Sequence, residues 1–153
     1  MIQKIAFLLP VIISLAMQSS ASLLKCAPPR SAKAEFDGAA AVFQGKVIGD
    51  EERDLPHPYG PYKKSQVFRF RVEQWWKGGN KEEAEVHVPK IEYPKGRYNF
   101  GPESFIFEKE KRYLVYAFGD KATLITNGCT RTNNIERAQE DLNFLGKGQK
   151  PEP

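Results

Sequence analysis

The chain has 153 residues, 12% of them aromatic and 27% charged, with 23 Lys and Arg against 19 Asp and Glu for a formal charge of +4. That length suits one domain with its own core. The charges are interleaved along the chain, acidic in "DEERD" and basic in "YKK", without the concentrated basic face of a nucleic-acid binder.

The opening stretch, "MIQKIAFLLPVIISLAMQSSAS", has the three parts of a secretory signal. Lys4 supplies the positive end, residues 5–17 the apolar run, and Ser19-Ser20-Ala21 the small residues before a cut. Cleavage is expected after Ala21, with Ser22 the close alternative. A membrane span needs about 20 apolar residues, and this run is shorter and broken by Pro10. The expected organisation is a signal over 1–21, one domain over 22–146 and a polar tail over 147–153. Losing Lys4 takes the charge from +4 to +3, and the expected destination is extracellular or periplasmic.

Two cysteines remain, Cys26 and Cys129. In an oxidising compartment they read as a disulfide, the alternative being two buried thiols.

"SAKAEFDG" predicts a short helix capped by Ser31 and stopped by a left-handed Gly38. "AAAVFQGKVIG" predicts a first strand, with Phe43 and Val47 on one face and Val42 and Ile48 on the other. Gly45 inside it marks a bend or a close backbone approach. The proline- and charge-rich residues 49–64 read as a long loop. "SQVFRFRVEQWWKGG" is the second strand, where Phe68, Phe70 and Val72 alternate with Arg69, Arg71 and Glu73. Trp75 and Trp76 then face opposite sides, with Trp76 expected inward and Trp75 nearer solvent, unless a bulge reverses them. "AEVHVP" is a third strand ended by Pro89, with His87 toward solvent, and "KIEYPKGRYNFGPES" a second long loop. "KRYLVYAF" and "KATLIT" are strands four and five, joined by a Gly119-Asp120 turn. "NNIERAQEDLNFLG" predicts an amphipathic helix capped by Asn133 and stopped by Gly146, with Ile135, Ala138, Leu142 and Leu145 on one face. The tail is expected to fray. Five strands with helices and no βαβ alternation predict an all-β fold with flanking helices, a small antiparallel barrel.

The ordered set "CAPP", "AVFQGKVIG", "FRFRVEQWWKG", "FEKEKRYLVYA" and "LITNGCTRTNNIERAQEDLNFLG" resembles the bacterial proteins similar to tissue inhibitors of metalloproteinases, across residues 26–146. The resemblance implies a netrin-like module: a five-stranded antiparallel barrel of the oligonucleotide/oligosaccharide-binding (OB) type with a C-terminal amphipathic helix. Members carry a C-x-C near the mature start. Its second cysteine corresponds to Cys26, paired with Cys129, whereas the first would fall at Leu24 and its partner near Phe100. In the animal inhibitors the N-terminal cysteine presents its amine and carbonyl to the protease zinc. Here the mature amine would belong to Ser22.

The resemblance implies a non-catalytic module that binds an extracytoplasmic protein, a metalloprotease among the possible partners. The contact residues would be Leu24, Lys25, Ala27 and Pro28, with Tyr93, Tyr98 and Phe100 from the second loop. Leu24 packed on Phe100 where the absent disulfide would lie is the competing role for these two. The alternatives are a metalloendopeptidase inhibitor and an envelope barrel that binds glycan or nucleic acid. No catalytic or metal-binding set is read in the sequence, which lacks HExxH and G-x-S-x-G, and no cofactor is expected. His57, between prolines, reads as a stiff exposed loop residue or a partner contact. Trp75 could serve as a binding platform and Arg69 and Arg71 as supports for a nucleic-acid strand, but export makes nucleic acid an improbable partner.

Overall fold

The computed structural model describes Cys26, residues 30–59 and residues 62–153. Leu24, Lys25, Ala27 and Pro28 lie outside the described residues, as does the signal segment, and of His57 only the backbone is described. Among the described residues no helix is long and apolar enough to cross a membrane.

Helix α1 (Ala32–Gly38) starts as predicted, with Ser31 Oγ accepting from Ala34 N at 3.2 Å. Its end differs. Ala39 turns extended and its amide closes on Glu35 O, so Gly38 is not left-handed.

Seven strands follow, where five were expected: β1 (Ala41–Tyr59), β2 (Tyr62–Lys77), β3 (Glu83–Tyr93), β4 (Arg97–Phe100), β5 (Arg112–Gly119), β6 (Leu124–Ile125) and β7 (Asn133–Asn134). β1 pairs with both β2 and β5, β5 with β6, β6 with β3, and β3 with β2, so five strands pair in a complete circuit. Every link is antiparallel except β3–β6, which is parallel at His87 and Ile125. β4 and β7 are short additions to β3 and β5.

The expected loop over 49–64 is instead the far half of a β1–β2 hairpin. Its charges pair across strands: Glu52 with Lys64 at 3.0 Å and with Lys90 at 2.8 Å, and Arg53 with Glu85 at 2.7 Å. Such cross-strand pairs stabilise a wet strand without any apolar alternation. The second expected loop is the β3–β4 hairpin, turning at Lys95 and Gly96, both with positive φ. Strand β3 runs through Pro89 because its missing amide falls between the β6 contact at His87 and the β4 contact at Lys90.

The inner face of the circuit holds Phe43, Val47, Phe68, Phe70, Val86, Val88 and Val115, sealed by Phe107 from the segment before β5. Phe107 lies 5.0 Å from Phe70 and 4.9 Å from Tyr113, both near-perpendicular, a favoured aromatic arrangement. Gly45 sits where the strands press together: a Cβ there would lie 2.8 Å from Arg71 O.

Outside the circuit, Val42, Leu114 and Tyr116 pack under Phe36, Trp76, Ala138 and Leu142. The two tryptophans are reversed from expectation. Val42 pairs with Lys77 and Phe43 with Trp75, so Trp76 is the extra residue of a bulge. The bulge aims Trp75 inward against Phe43, ring centroids 4.9 Å apart, and Trp76 outward, donating to Gly146 O at 3.0 Å.

The β5–β6 connection is a four-residue loop over 120–123 rather than a two-residue turn, because Asp120 Oδ1 accepts from both Ala122 N and Thr123 N. The last helix is shorter than predicted. Asn133 and Asn134 join β7, Asn134 caps a 3-10 turn (Ile135–Arg137), and α2 (Gln139–Leu145) follows, ending at Gly146 with φ 63°. Its apolar residues pack as expected. The tail does not fray: Gln149 exchanges backbone hydrogen bonds with Trp75 at 2.8 and 2.7 Å, and Glu152 N donates to Asn80 O.

Candidate functional site

Cys26 and Cys129 are joined by a disulfide, their Cα atoms 5.3 Å apart, both at the surface. Cys129 lies in a tight turn after β6, where Asn127 Oδ1 accepts from Cys129 N at 2.9 Å. Beneath the turn, the Thr126, Thr130 and Thr132 hydroxyls contact one another, and those of Thr126 and Thr132 lie 3.0 Å from Tyr116 O. Arg131 clamps Asp141 through Nε at 2.7 Å and Nη2 at 2.8 Å, while its Nη1 donates to Arg30 O at 3.0 Å. The incoming chain is therefore held twice, by sulfur at Cys26 and by Arg131 at Arg30.

From this turn a line of hydrogen bonds runs toward the two long hairpins. Gly128 N donates to Glu103 O at 2.6 Å, and the Glu103 carboxylate accepts from the Tyr62 hydroxyl at 2.8 Å. That bond, helped by burial, raises the Tyr62 pKa above its ordinary value. Tyr62 in turn pairs with Ile91 of β3. Two hollows flank Phe118 and Asn127. One of about 290 Å³ is bordered by Arg30, Glu35 and Cys129; the other, about 110 Å³, by Tyr62, Pro89 and Glu103.

The β3–β4 hairpin brings together two of the three expected aromatic contacts. Tyr93, 40% exposed, and Tyr98 border one open groove of about 500 Å³ with Arg97 and Asn99. Phe100 is turned against the inner core instead, with Lys90 Nζ 5.2 Å from its ring centroid, so it serves packing first. Lys64 covers one face of Tyr98 at 5.3 Å, a cation–π contact. Sequence reasoning missed Tyr62, Glu103 and Asn127. They come from three separate segments, and no local pattern ties them together.

His87 is buried, 6% exposed, rather than solvent-facing, and its Nδ1 lies 2.8 Å from Oγ of the fully buried Ser65. Burial lowers its pKa from 6.5, opposed by Glu85 and assisted by Arg53. The folded state thus binds this proton more weakly than the unfolded chain, and stability should fall as pH drops below 6.5. Glu85 has a lowered pKa through Arg53, and its own loss begins only as pH falls toward 4.5. Urea midpoints taken between these limits should slope with pH in the native protein and be flat in His87→Gln. Among the described residues no group of three or more His, Cys, Asp or Glu could hold a metal ion.

No protein-family model matches the chain, and no curated protein matches it.

Proposed function

We propose that the chain is a secreted, non-catalytic protein-binding module on a five-stranded OB-type barrel, akin to the bacterial proteins similar to tissue inhibitors of metalloproteinases. The observation that carries this reading is the disulfide-clipped arrival of the chain at Cys26, with the Cys129 turn joined by hydrogen bonds through Glu103 and Tyr62 to the tyrosine-bearing hairpin. A surface cross-linked in this way loses little ordering entropy when it docks. The strand order, with β1 joining β2 to β5 and β3 parallel to β6, supports the barrel part of the reading.

The tagged mature chain should capture a stoichiometric partner from the exported proteins of its host. Tyr93, exposed, and Tyr98, half-buried, are the best-placed anchors, since tyrosines at a groove are typical of interface hot spots. Tyr93→Ala with Tyr98→Ala should weaken that capture by at least about thirtyfold, roughly 2 kcal/mol. Unchanged affinity in a folded double variant removes the hairpin from the surface.

The disulfide at Cys26 and the Arg131 hydrogen bond to Arg30 O also favour a second reading, inhibition of a zinc endopeptidase. Titration would then abolish peptidase activity, and extending the mature N-terminus by a few residues would restore it. Inhibition indifferent to that extension excludes chelation by the terminal amine.

A further inference from the structure

The ends of the sheet differ in how they treat their free edges. Beyond Val47 the outer edge of β1 has no partner strand among the described residues, and it carries Asp50, Glu51, Glu52, Arg53 and Asp54. Such a charge run is the usual guard against unwanted strand pairing. The outer edge of β4 is also unpaired among the described residues, since β4 pairs with β3 alone, but it bears Arg97, Tyr98 and Asn99.

The charges around β4 are also unevenly spent. Lys63 is paired with Glu92 at 2.7 Å, and Lys64 and Lys90 share Glu52. Lys95 and Arg97 have no ion pair among the described residues. Lys95 sits at the apex of the turn with φ 69°, and Arg97 borders the Tyr93–Tyr98 groove. An open backbone edge, an aromatic groove and two uncommitted cations thus coincide on the five consecutive turn-and-strand positions 95–99 and one facing tyrosine.

We propose that the edge of β4 docks an extended acidic segment of a partner protein, which adds to the sheet as a further strand. The inference rests on the protein-binding reading above and names the partner's chemistry. Backbone groups of the segment would pair with β4, as in other strand-addition complexes. Its carboxylates would face Arg97 and the neighbouring Lys95, and alternate side chains would lie on the opposite face, against Tyr98. The edge of β1, with four acidic residues to one basic, repels the same segment, so only one edge is selected. A glycan would use the groove but not the strand edge, and for that reason a peptide is favoured.

The test uses the full mature protein and a labelled peptide of alternating glutamate and valine. It should bind at least about tenfold more tightly than the lysine–valine counterpart, and more weakly as salt rises. Lys95→Glu with Arg97→Glu should reverse that preference, and N-methylation of the peptide's β4-facing amides should abolish binding. These tip residues are exposed, and unchanged thermal unfolding will verify that the variants fold. Equal affinity for the two peptides, or undiminished binding of the N-methylated one, overturns the inference. So does tighter binding of a sulfated oligosaccharide or single-stranded oligonucleotide at the same residues. A natural partner held equally well by the charge-reversed variant overturns it too, while the protein-binding reading survives. Failure to recover any partner counts against that reading alone, because the peptide measurement stands apart from it.

Discussion

Asp141→Ala should cost about 3 kcal/mol of folding stability, read as a lowered urea midpoint at unchanged slope. Asp141 is 5% exposed and accepts three hydrogen bonds: one from the Tyr116 hydroxyl at 2.9 Å and two from Arg131 at 2.7 and 2.8 Å. Its removal leaves a buried phenol without an acceptor and a guanidinium without its main counter-charge. Loss of one partner of a buried pair costs about 3–5 kcal/mol, and the lower end applies because Arg131 keeps some solvent contact. Tyr116→Phe removes only one neutral donor and should cost about 1 kcal/mol. Asp141→Asn keeps an acceptor for Tyr116 but loses the charge, and belongs between the two. If Asp141→Ala proved no worse than Tyr116→Phe, the two-pronged Arg131 contact would contribute nothing. The Tyr116 hydroxyl itself is held protonated far above its ordinary range, by burial first and the Asp141 carboxylate second.

That network shows where sequence reading stops. Phe68, Phe70 and Val72 were legible as one strand face because each must be buried and the pleat has a period of two. Ile135, Ala138, Leu142 and Leu145 were legible for the parallel reason, although the turn they occupy is part 3-10 and part α. Trp75 and Trp76 were not, since a bulge shifts the phase and nothing local announces it. The charged half of the β1–β2 hairpin reads as loop because Glu52, Lys64 and Lys90 are stabilised by one another, not by burial. Tyr93 and Tyr98 were candidates because the resemblance points to their loop and their rings suit an interface. Glu103, which ties the disulfide turn to Tyr62, has no such mark: its role exists only once three distant segments meet.

Replacing both cysteines, Cys26→Ser with Cys129→Ser, should lower stability by about 4–5 kcal/mol, because the bond closes a loop between residues 103 apart and removes that much freedom from the unfolded chain. Much of the effect lies in the unfolded state, so the variant's fold should be little changed where it remains folded. The Arg131 hydrogen bond to Arg30 would still hold the start of α1, but the covalent tie at Cys26 would be gone. Stability and binding should therefore separate. At a temperature where the variant is still folded, the β3–β4 hairpin would keep its share of partner affinity, whereas the share contributed around Cys26 would be lost to ordering entropy. Adding Tyr93→Ala and Tyr98→Ala to the cysteine-free protein should then eliminate capture, with the two losses roughly additive because the sites share no side chain. Alkylation supplies the prior check: native protein should consume no thiol reagent until it is reduced. Two reactive thiols in the native protein would remove the covalent tie at Cys26, and the binding surface would have to be sought elsewhere.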